Sequence, residues 1–513
     1  MTQKRSTLYP SMDEMLEASE FAGRPALDLI GEIQELYLEN DKPWVIGFSG
    51  GKDSTTTLSL IYVALTKLSK EQRHKHVYVI SSDTLVETPL VVDMINSSLA
   101  AINKNAIELE LPISGHVVYP NWDQTFWVNL LGKGYPAPTQ NFRWCTERMK
   151  IDPVSEFIKD KIAKYGEVIV VLGARSQESA SRAQVIAKHK IDGSSLSRHS
   201  SLPGAFTYMP IQDWTFDEVW MYLLGAPAAW GGDHFELFSL YKDSSAGECP
   251  LVIDTNTPSC GNSRFGCWTC TVVTKDRAIE GLIESGETWL QKLKDFRNKL
   301  FETTDPAKKD QFRNYKRRTG RVQYARGNIE NENITEIKTI PGPYLLKFRK
   351  EWLKELLMIE KHLNDEGHPI ELVRQEELFA IRREWMFDPN EPDWSDELPS
   401  IYREVYNKDL NWPDQDGGSF TQEDAELLKT LSNQYKTPTE LVMKLLELEI
   451  SMDGLGRRKG LFNKIESLLK NDWGSLNEIL AEKEKAKPTT SITDGTSYDD
   501  QLAQLTKELE ALQ

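Results

Sequence analysis

At 513 residues the chain is too long for one hydrophobic core, so two or three domains are expected. Hydrophobic content of 39% and charged content of 27% suit an ordinary folded protein, and a net charge of −17 excludes indiscriminate nucleic-acid binding, which needs Lys and Arg to neutralise phosphates; any such contact must use a local patch. No apolar signal region opens the chain and no apolar run reaches the ~18 residues of a membrane span, so a soluble cytoplasmic protein without membrane contact is expected.

The first half alternates between strand-like and helix-like segments. Trp44 to Phe48 is a short apolar strand that ends at Ser49-Gly50-Gly51, and Ser54 to Leu68 follows with helical spacing. His76 to Ser81 predicts a second strand closing on the polar loop Ser82-Asp83-Thr84, and Pro89 to Ile102 a helix with Pro in its first turn. Ile107 to Pro112 alternates as a third strand, Pro153 to Tyr165 repeats as a helix, and Val168 to Leu172 is the most apolar strand. This pattern predicts an α/β fold whose parallel sheet is flanked by helices and binds its ligands at the carboxyl ends of the strands.

Arg182 to Phe206 is polar and aperiodic and reads as a mobile loop or lid, with regular structure resuming at Met209-Pro210-Ile211 and a capped helix over Thr215 to Leu223. A cysteine-rich segment spans Ser244 to Lys275, and amphipathic helical patterns dominate from Asp276. Glu482 to Asp499 is a polar linker, and Leu502 to Leu512 an amphipathic helix suited to dock on a partner or on the body. The domains expected are residues 1–240 (nucleotide domain), 241–330 (cysteine-rich segment and basic stretch), 331–485 (helical region) and 486–513 (linker and terminal helix).

Gly50 and Gly51 allow a sharp turn and close backbone approach, and a helix starting near Asp53 aims its N–H groups at the same spot, so an anion is the expected guest. The stretch is not a Walker A loop, because Lys52 is followed by Asp53 rather than Ser or Thr. Ser49-Gly50-Gly51-Lys52-Asp53-Ser54 instead resembles the PP-loop of ATP pyrophosphatases, of the adenine nucleotide alpha hydrolase-like fold. That resemblance implies cleavage of ATP between its α and β phosphates, with Lys52 neutralising the pyrophosphate and Ser49 and Ser54 bonding phosphate oxygens. Asp53 would help place Mg²⁺ or simply cap the helix.

Ser82-Asp83-Thr84 with Glu87-Thr88, Gly173-Ala174-Arg175 with Glu178-Ser179 and Arg182, and Pro210-Ile211-Gln212-Asp213-Trp214 resemble the phosphoadenylylsulfate reductase branch. Arg175 and Arg182 offer planar forks for phosphate or sulfate oxygens, and Asp83 could meet a ribose hydroxyl or a metal; each also has the plain reading of a surface charge or cap. Five cysteines without an export signal suit a metal site or catalysis better than disulfides. Cys267 and Cys270, separated by two residues, can share one iron or zinc centre, and Cys145 with Cys260 would complete four ligands. Cys249 competes for the fourth place; whichever thiol is left over could carry a persulfide, and burial is the bland alternative for Cys249. Spacing alone permits zinc; the preference for a 4Fe–4S cluster comes from the resemblance to cluster-bearing sulfonucleotide reductases, whose upstream tandem Cys-Cys site here has Trp144 in place of one member.

Gly134-Tyr-Pro-Ala-Pro138, Phe142-Arg-Trp-Cys-Thr146 and Arg264-Phe-Gly-Cys-Trp-Thr-Cys-Thr271, with the early phosphate loop and the long helical extension, resemble the DndC family of DNA-phosphorothioation sulfurtransferases. The resemblance implies ATP pyrophosphatase activity, a cluster loaded by a cysteine desulfurase, and replacement of a non-bridging DNA phosphate oxygen by sulfur beside partners such as DndD and DndE. For DNA, Arg313 to Arg326 carries six basic residues and no acidic one, with Tyr315 and Tyr324 interleaved; it reads as a backbone contact or as a solvated helix face. Arg457-Arg458-Lys459 is a weaker patch, and the histidines show no metal-ligand spacing. Rival readings are an assimilatory sulfonucleotide reductase, disfavoured because the last cysteine is Cys270, a tRNA thiolase, and a cluster-bearing scaffold of a DNA modification-restriction complex.

Overall fold

The computed structural model describes residues 11–178, 189, 191, 194–244, 266–324, 339–388, 390–413, 422–450 and 460–485. Arg182, Cys249, Cys260, Arg326, Arg457 to Lys459 and the 502–512 segment lie outside the described residues. The chain divides into two compact units, Met1–Asn314 with Pro343–Gln422, and Tyr315–Gly342 with Glu423–Gln513.

The first unit is built on a six-stranded sheet of β1 (Trp44–Gly47), β2 (Val77–Ser82), β3 (Ile113–Val118), β4 (Val168–Val171), β5 (Leu196–Arg198) and β6 (Ala205–Tyr208). Its order is β3-β2-β1-β4-β6-β5, parallel except for the antiparallel edge β5. All four residues of β1 and of β4 are buried, as central strands covered on both faces require. The register sets Val45 between Tyr78 and Val170, so β1 ends in the middle of the sheet. Ser49-Gly50-Gly51 leaves that end, and helix Lys52–Thr66 returns over one face. That face joins helix Ala26–Leu38 in a core with Tyr37, Trp44, Ile61 and Trp214, while helix Asp152–Tyr165 covers the other face through Val154 and Ile158.

Two expectations fail here. Ile107 to Pro112 is not a strand: helix Pro89–Glu108 runs through Ile107, Glu110 turns with φ +52°, and the strand follows at Ile113–Val118. The alternation of Ile107, Leu109 and Leu111 mimicked a half-buried strand, yet Ile107 is exposed on the helix end. The end of the expected lid is likewise regular, since β5 and β6 occupy Leu196–Arg198 and Ala205–Tyr208 before Met209, and Met209 to Trp214 is a turn whose Trp214 stacks on Phe21 at 4.3 Å. The capped helix is found as Phe216–Gly225, with Thr215 and Glu218 forming a capping box.

A second core in the same unit packs Phe126 to Leu131, Trp144 and Trp268 against helices Gln291–Glu302, Leu346–Asp365, Gln375–Met386 and Glu397–Tyr406. Inside it the Arg349–Asp388 pair is fully buried at 2.7 Å, and Arg349 also donates to the Gly132 carbonyl at 2.7 Å. Among the described residues no helix is long and apolar enough to cross a membrane.

The second unit pairs Gln323–Tyr324 with Thr339–Ile340 and places helices Gln422–Tyr435, Thr439–Ile450, Leu461–Leu469 and Leu476–Lys485. Its part of the basic stretch is not a helix face. Tyr315 donates to the Gly474 carbonyl at 3.0 Å, Arg317 to that of Pro341 at 3.0 Å, and Arg321 to Asn471 at 3.3 Å; Lys316 lies over Trp473. Several of these cations therefore hold the unit together.

Gly173 sets how closely β4 approaches the phosphate-loop helix. A Cβ there would stand 2.5 Å from the Asp53 carbonyl oxygen and 2.7 Å from the Ser54 nitrogen, both backbone atoms. Gly173→Ala should destabilise the protein by ~2–3 kcal/mol in urea unfolding. Gly31→Ala, inside helix Ala26–Leu38 where a Cβ meets nothing within 4 Å, should stabilise it by roughly 0.5–1 kcal/mol.

Candidate phosphate site and cysteine face

The phosphate loop is shaped by its own short side chains. Gly50 takes φ +70°, and a Cβ on it would meet Ile95 at 2.8 Å. Ser54 Oγ donates to the Gly51 carbonyl at 2.9 Å and accepts the Ser49 N–H at 3.2 Å, and the Ser49 and Ser54 hydroxyls are 3.1 Å apart. The serines thus close the loop on itself, the plain counterpart of their expected phosphate contacts.

Three charged groups meet at the start of the helix. Asp53 accepts from Lys52 Nζ at 2.9 Å through one oxygen and from Arg175 Nε at 2.6 Å through the other. Side-chain exposures are 1% for Lys52, 5% for Asp53 and 6% for Arg175, so two cations share one carboxylate away from water. Asp53 is therefore more than a helix cap: it holds both cations in place at the positive end of a helix. Lys52 also lies over the Phe216 ring, 4.8 Å from its centroid. Burial lowers the Lys52 ammonium to about 8, with Asp53 opposing the fall and Arg175 adding to it. Asp83 is half-buried and accepts the Leu85 N–H at 2.8 Å, so it caps the turn after β2.

The cysteine face grows from that same turn. Thr88 N–H donates to the Gly266 carbonyl at 2.9 Å and Trp268 N–H to that of Val86 at 3.0 Å, which zips the Cys267 segment onto the loop after β2. Thr84 Oγ1 is 3.3 Å from Cys267 Sγ, and Glu87, paired with Lys150 at 3.2 Å, is 3.6 Å from that sulfur. Burial first, then Glu87, push the Cys267 thiol well above its ordinary range, with Lys150 and Thr84 opposing in part. Cys270 N–H donates to the Cys267 carbonyl at 3.1 Å, so both thiols sit on one turn. Gly134 to Pro138 carries the other side: Pro136 receives the Trp144 indole N–H at 2.9 Å, Pro138 receives the Thr271 hydroxyl at 2.7 Å, and Ala137 N–H donates to the Tyr344 hydroxyl at 2.9 Å. The segments of Cys145 and Cys270 are thus hung on one loop, and Cys145 and Cys267 pack on the same core. Among the described residues no three His, Cys, Asp or Glu side chains converge as a metal site. The donor chemistry fits two thiolate ligands of a cluster from Cys267 and Cys270.

Sequence reasoning missed Tyr241, Phe216, Lys150 and Arg297. Tyr241 lies 189 residues from the Lys52 N–H that its hydroxyl accepts at 3.3 Å, and no local pattern marks it. Fully buried Arg297 donates to the carbonyls of Cys270 at 2.8 Å, Thr274 at 3.0 Å and Val273, clamping the chain just after the cysteine turn.

Two stability measurements follow. Arg297→Met leaves three carbonyls without their donor and should cost ~3 kcal/mol or more in urea unfolding. For Lys52 the unfolded value is the ordinary 10.5 and the folded one is lowered to about 8. Between these the unfolded chain holds more protons, so the Lys52 contribution to stability rises with pH across that window. The stability of Lys52→Met relative to the parent should therefore fall from pH 8 to 10; a constant difference would show an unshifted lysine.

The family model for the phosphoadenosine phosphosulfate reductase domain matches residues 43–273. An uncharacterized protein of Methanocaldococcus jannaschii, MJ0066, is 27% identical over 226 residues, 43% of this chain and 40% of that relative, so the match spans less than half of the relative's length. Among solved structures, phosphoadenylyl-sulfate reductase from Candida auris aligns with TM-score 0.26 and 16% identity over 41% of this chain and 84% of that one. The U34-tRNA thiolase NcsA from Methanococcus maripaludis, solved with its 4Fe–4S cluster, aligns with TM-score 0.24 and 12% identity over 55% of this chain and 81% of that one. With the Ser-Gly-Gly-Lys-Asp-Ser loop at the carboxyl end of a central parallel strand, residues 43–273 are similar to the phosphoadenosine phosphosulfate reductase domain and have an α/β fold like that of PP-loop proteins.

Proposed function

We propose that the protein is an ATP-dependent sulfurtransferase that activates a DNA backbone phosphate and helps replace one of its non-bridging oxygens by sulfur. The carrying observation is the buried Lys52–Asp53–Arg175 group at the N-terminus of the phosphate-loop helix. There an ATP β,γ-diphosphate meets an ammonium, a guanidinium and backbone N–H groups. An acceptor oxygen attacks the α-phosphorus, the bond to the β-phosphate oxygen breaks, and pyrophosphate leaves as Lys52 offsets its charge. Mg²⁺ would enter with the nucleotide. AMP, now bound to the acceptor phosphorus through oxygen, is a far better leaving group than an unactivated phosphate oxygen; hydrosulfide, released from a cysteine persulfide by a thiol reductant that becomes a disulfide, attacks that phosphorus, and the P–S bond forms as the bond to the AMP oxygen breaks.

The sulfur half of the reading is supported by the position of Cys267, zipped onto the loop that closes β2, the strand next to the phosphate-loop strand. Cys267 and Cys270, with Cys145 and Cys260 as the expected further ligands, would hold a 4Fe–4S cluster, which supplies a sulfide-rich, electron-donating centre when bound. Cys249 would then be the thiol open to sulfur loading by a cysteine desulfurase. The DNA half is supported by the residue-level likeness of Gly134 to Pro138, Phe142 to Thr146 and Arg264 to Thr271 to the DndC family, with DndD and DndE as companions. A sulfonucleotide reductase consumes no ATP, so nucleotide demand separates that alternative.

Lys52→Ala should reduce pyrophosphate release from ATP by at least ~100-fold; unchanged release would contradict the reading. In the parent protein kcat/KM for pyrophosphate release should fall as pH rises above about 8, where Lys52 loses its proton, and Lys52→Arg should move that fall beyond pH 10. Protein purified without oxygen should contain iron and sulfide, and Cys267→Ser should lower both; iron retained in full by that variant would remove Cys267 from the ligand set.

A further inference from the structure

Resting on the reading of Cys267 and Cys270 as ligands of a 4Fe–4S cluster, we infer that Arg297 is a positioning residue of that centre: it clamps the turn after Cys270 and supplies the positive charge that answers an anionic, thiolate-ligated group there. Arg297 lies on helix Gln291–Glu302 and is fully buried, and its hydrogen-bond partners are all neutral. Nε donates to the Cys270 carbonyl at 2.8 Å. Nη1 donates to the Thr274 carbonyl at 3.0 Å and to Asn298 Oδ1 at 2.9 Å, and Nη2 to the Val273 carbonyl. The guanidinium carbon stands 5.0 Å from the centroid of the Phe301 ring.

A charged side chain out of water is costly unless an opposite charge is near, and neutral carbonyls offset that cost only in part. Among the described residues no carboxylate forms an ion pair with Arg297. The carboxylates around it are engaged elsewhere: Asp276 accepts the Ile279 N–H at 3.1 Å as the cap of helix Arg277–Glu284, and Glu280 is paired with Lys294 at 3.0 Å. Burial works against the Arg297 charge, while Asp276, then Cys270 as a thiolate, then Glu280 favour it. A thiol at Cys270 offers the guanidinium no charge, whereas a metal displaces the thiol proton and leaves a thiolate. Ligation of a cluster by Cys267 and Cys270 therefore brings the anion that this buried cation lacks. The same attraction acts on the cluster, whose reduced form carries an extra negative charge. A fixed cation beside it favours that form and raises the reduction potential.

The test uses full-length protein purified without oxygen, as parent, Arg297→Lys and Arg297→Gln. Both variants lose part of the carbonyl clamp and should melt at a lower temperature than the parent, but only Arg297→Gln loses the charge. Iron and sulfide are measured per chain, and the cluster is titrated with dithionite while its visible absorption and the paramagnetic resonance of its reduced form are followed. In Arg297→Gln the ratio of reduced to oxidised cluster at a given potential should fall about tenfold, ~59 mV for one electron, with Arg297→Lys close to the parent. Iron kept by Arg297→Lys and lost from Arg297→Gln supports the same assignment. Equal potentials in the parent and Arg297→Gln, equal shifts in both variants, or equal iron loss from both would overturn it and leave Arg297 a backbone clamp alone. A parent protein without iron and sulfide would instead sink the cluster reading beneath it.

Discussion

One carboxylate organises the phosphate-loop end of this protein. Asp53 stands between Lys52 and Arg175, which come from different strands' ends, and the arrangement survives burial because each of its oxygens takes one cation. Two cations without that anion would carry an uncompensated charge out of water, a cost of several kcal/mol. With it, the pair is pinned at the first turn of a helix whose dipole already favours an anion. Gly173 makes the geometry possible, since β4 can bring Arg175 to Asp53 only if its backbone passes against the Asp53 carbonyl. Site and sheet topology are therefore one constraint: β1 and β4 must be neighbours for the cluster to form.

From that centre the loop from Ser82 to Thr88 leads to the cysteines. Its Asp83 caps its own turn, its Thr84 and Glu87 face Cys267, and its Thr88 starts the next helix while bonding the Gly266 carbonyl. The second core fixes the far side, where Gly134 to Pro138 and Arg297 hold the chain on either side of the cysteine turn. A buried thiol beside a carboxylate stays protonated, so Cys267 as it stands is a poor nucleophile. A ligand role, in which a metal displaces the thiol proton, suits that environment better than attack by the free thiol.

Much of this was legible in the sequence, for identifiable reasons. The phosphate loop has six contiguous residues with a shared purpose, and central strands such as Val168–Val171 are apolar on both faces, so local reading sufficed. The role of Arg175 was legible only as a charge at a strand end; its partner Asp53 is 122 residues away. Ile107 to Pro112 misled because alternation on a fraying helix end resembles a strand, whereas the true β3, Ile-Ser-Gly-His-Val-Val, carries polar residues on a half-exposed edge. Tyr241 and Arg297 act through contacts made across the fold and left no local mark. The domain boundaries at 240, 330 and 485 followed composition along the chain, while the compact units are discontinuous, with 315–342 joining 423–513. The basic stretch showed its charge but not the contacts that Lys316, Arg317 and Arg321 make within their own unit.

We propose that the loop from Ser49 to Ser54 splits ATP between its α and β phosphates. Phosphorus NMR of ATP turned over by the full-length protein, purified without oxygen and supplied with Mg²⁺ and duplex DNA, reads that bond directly. AMP and pyrophosphate are expected in equal amounts. ADP with inorganic phosphate, or ATP left intact, would contradict it.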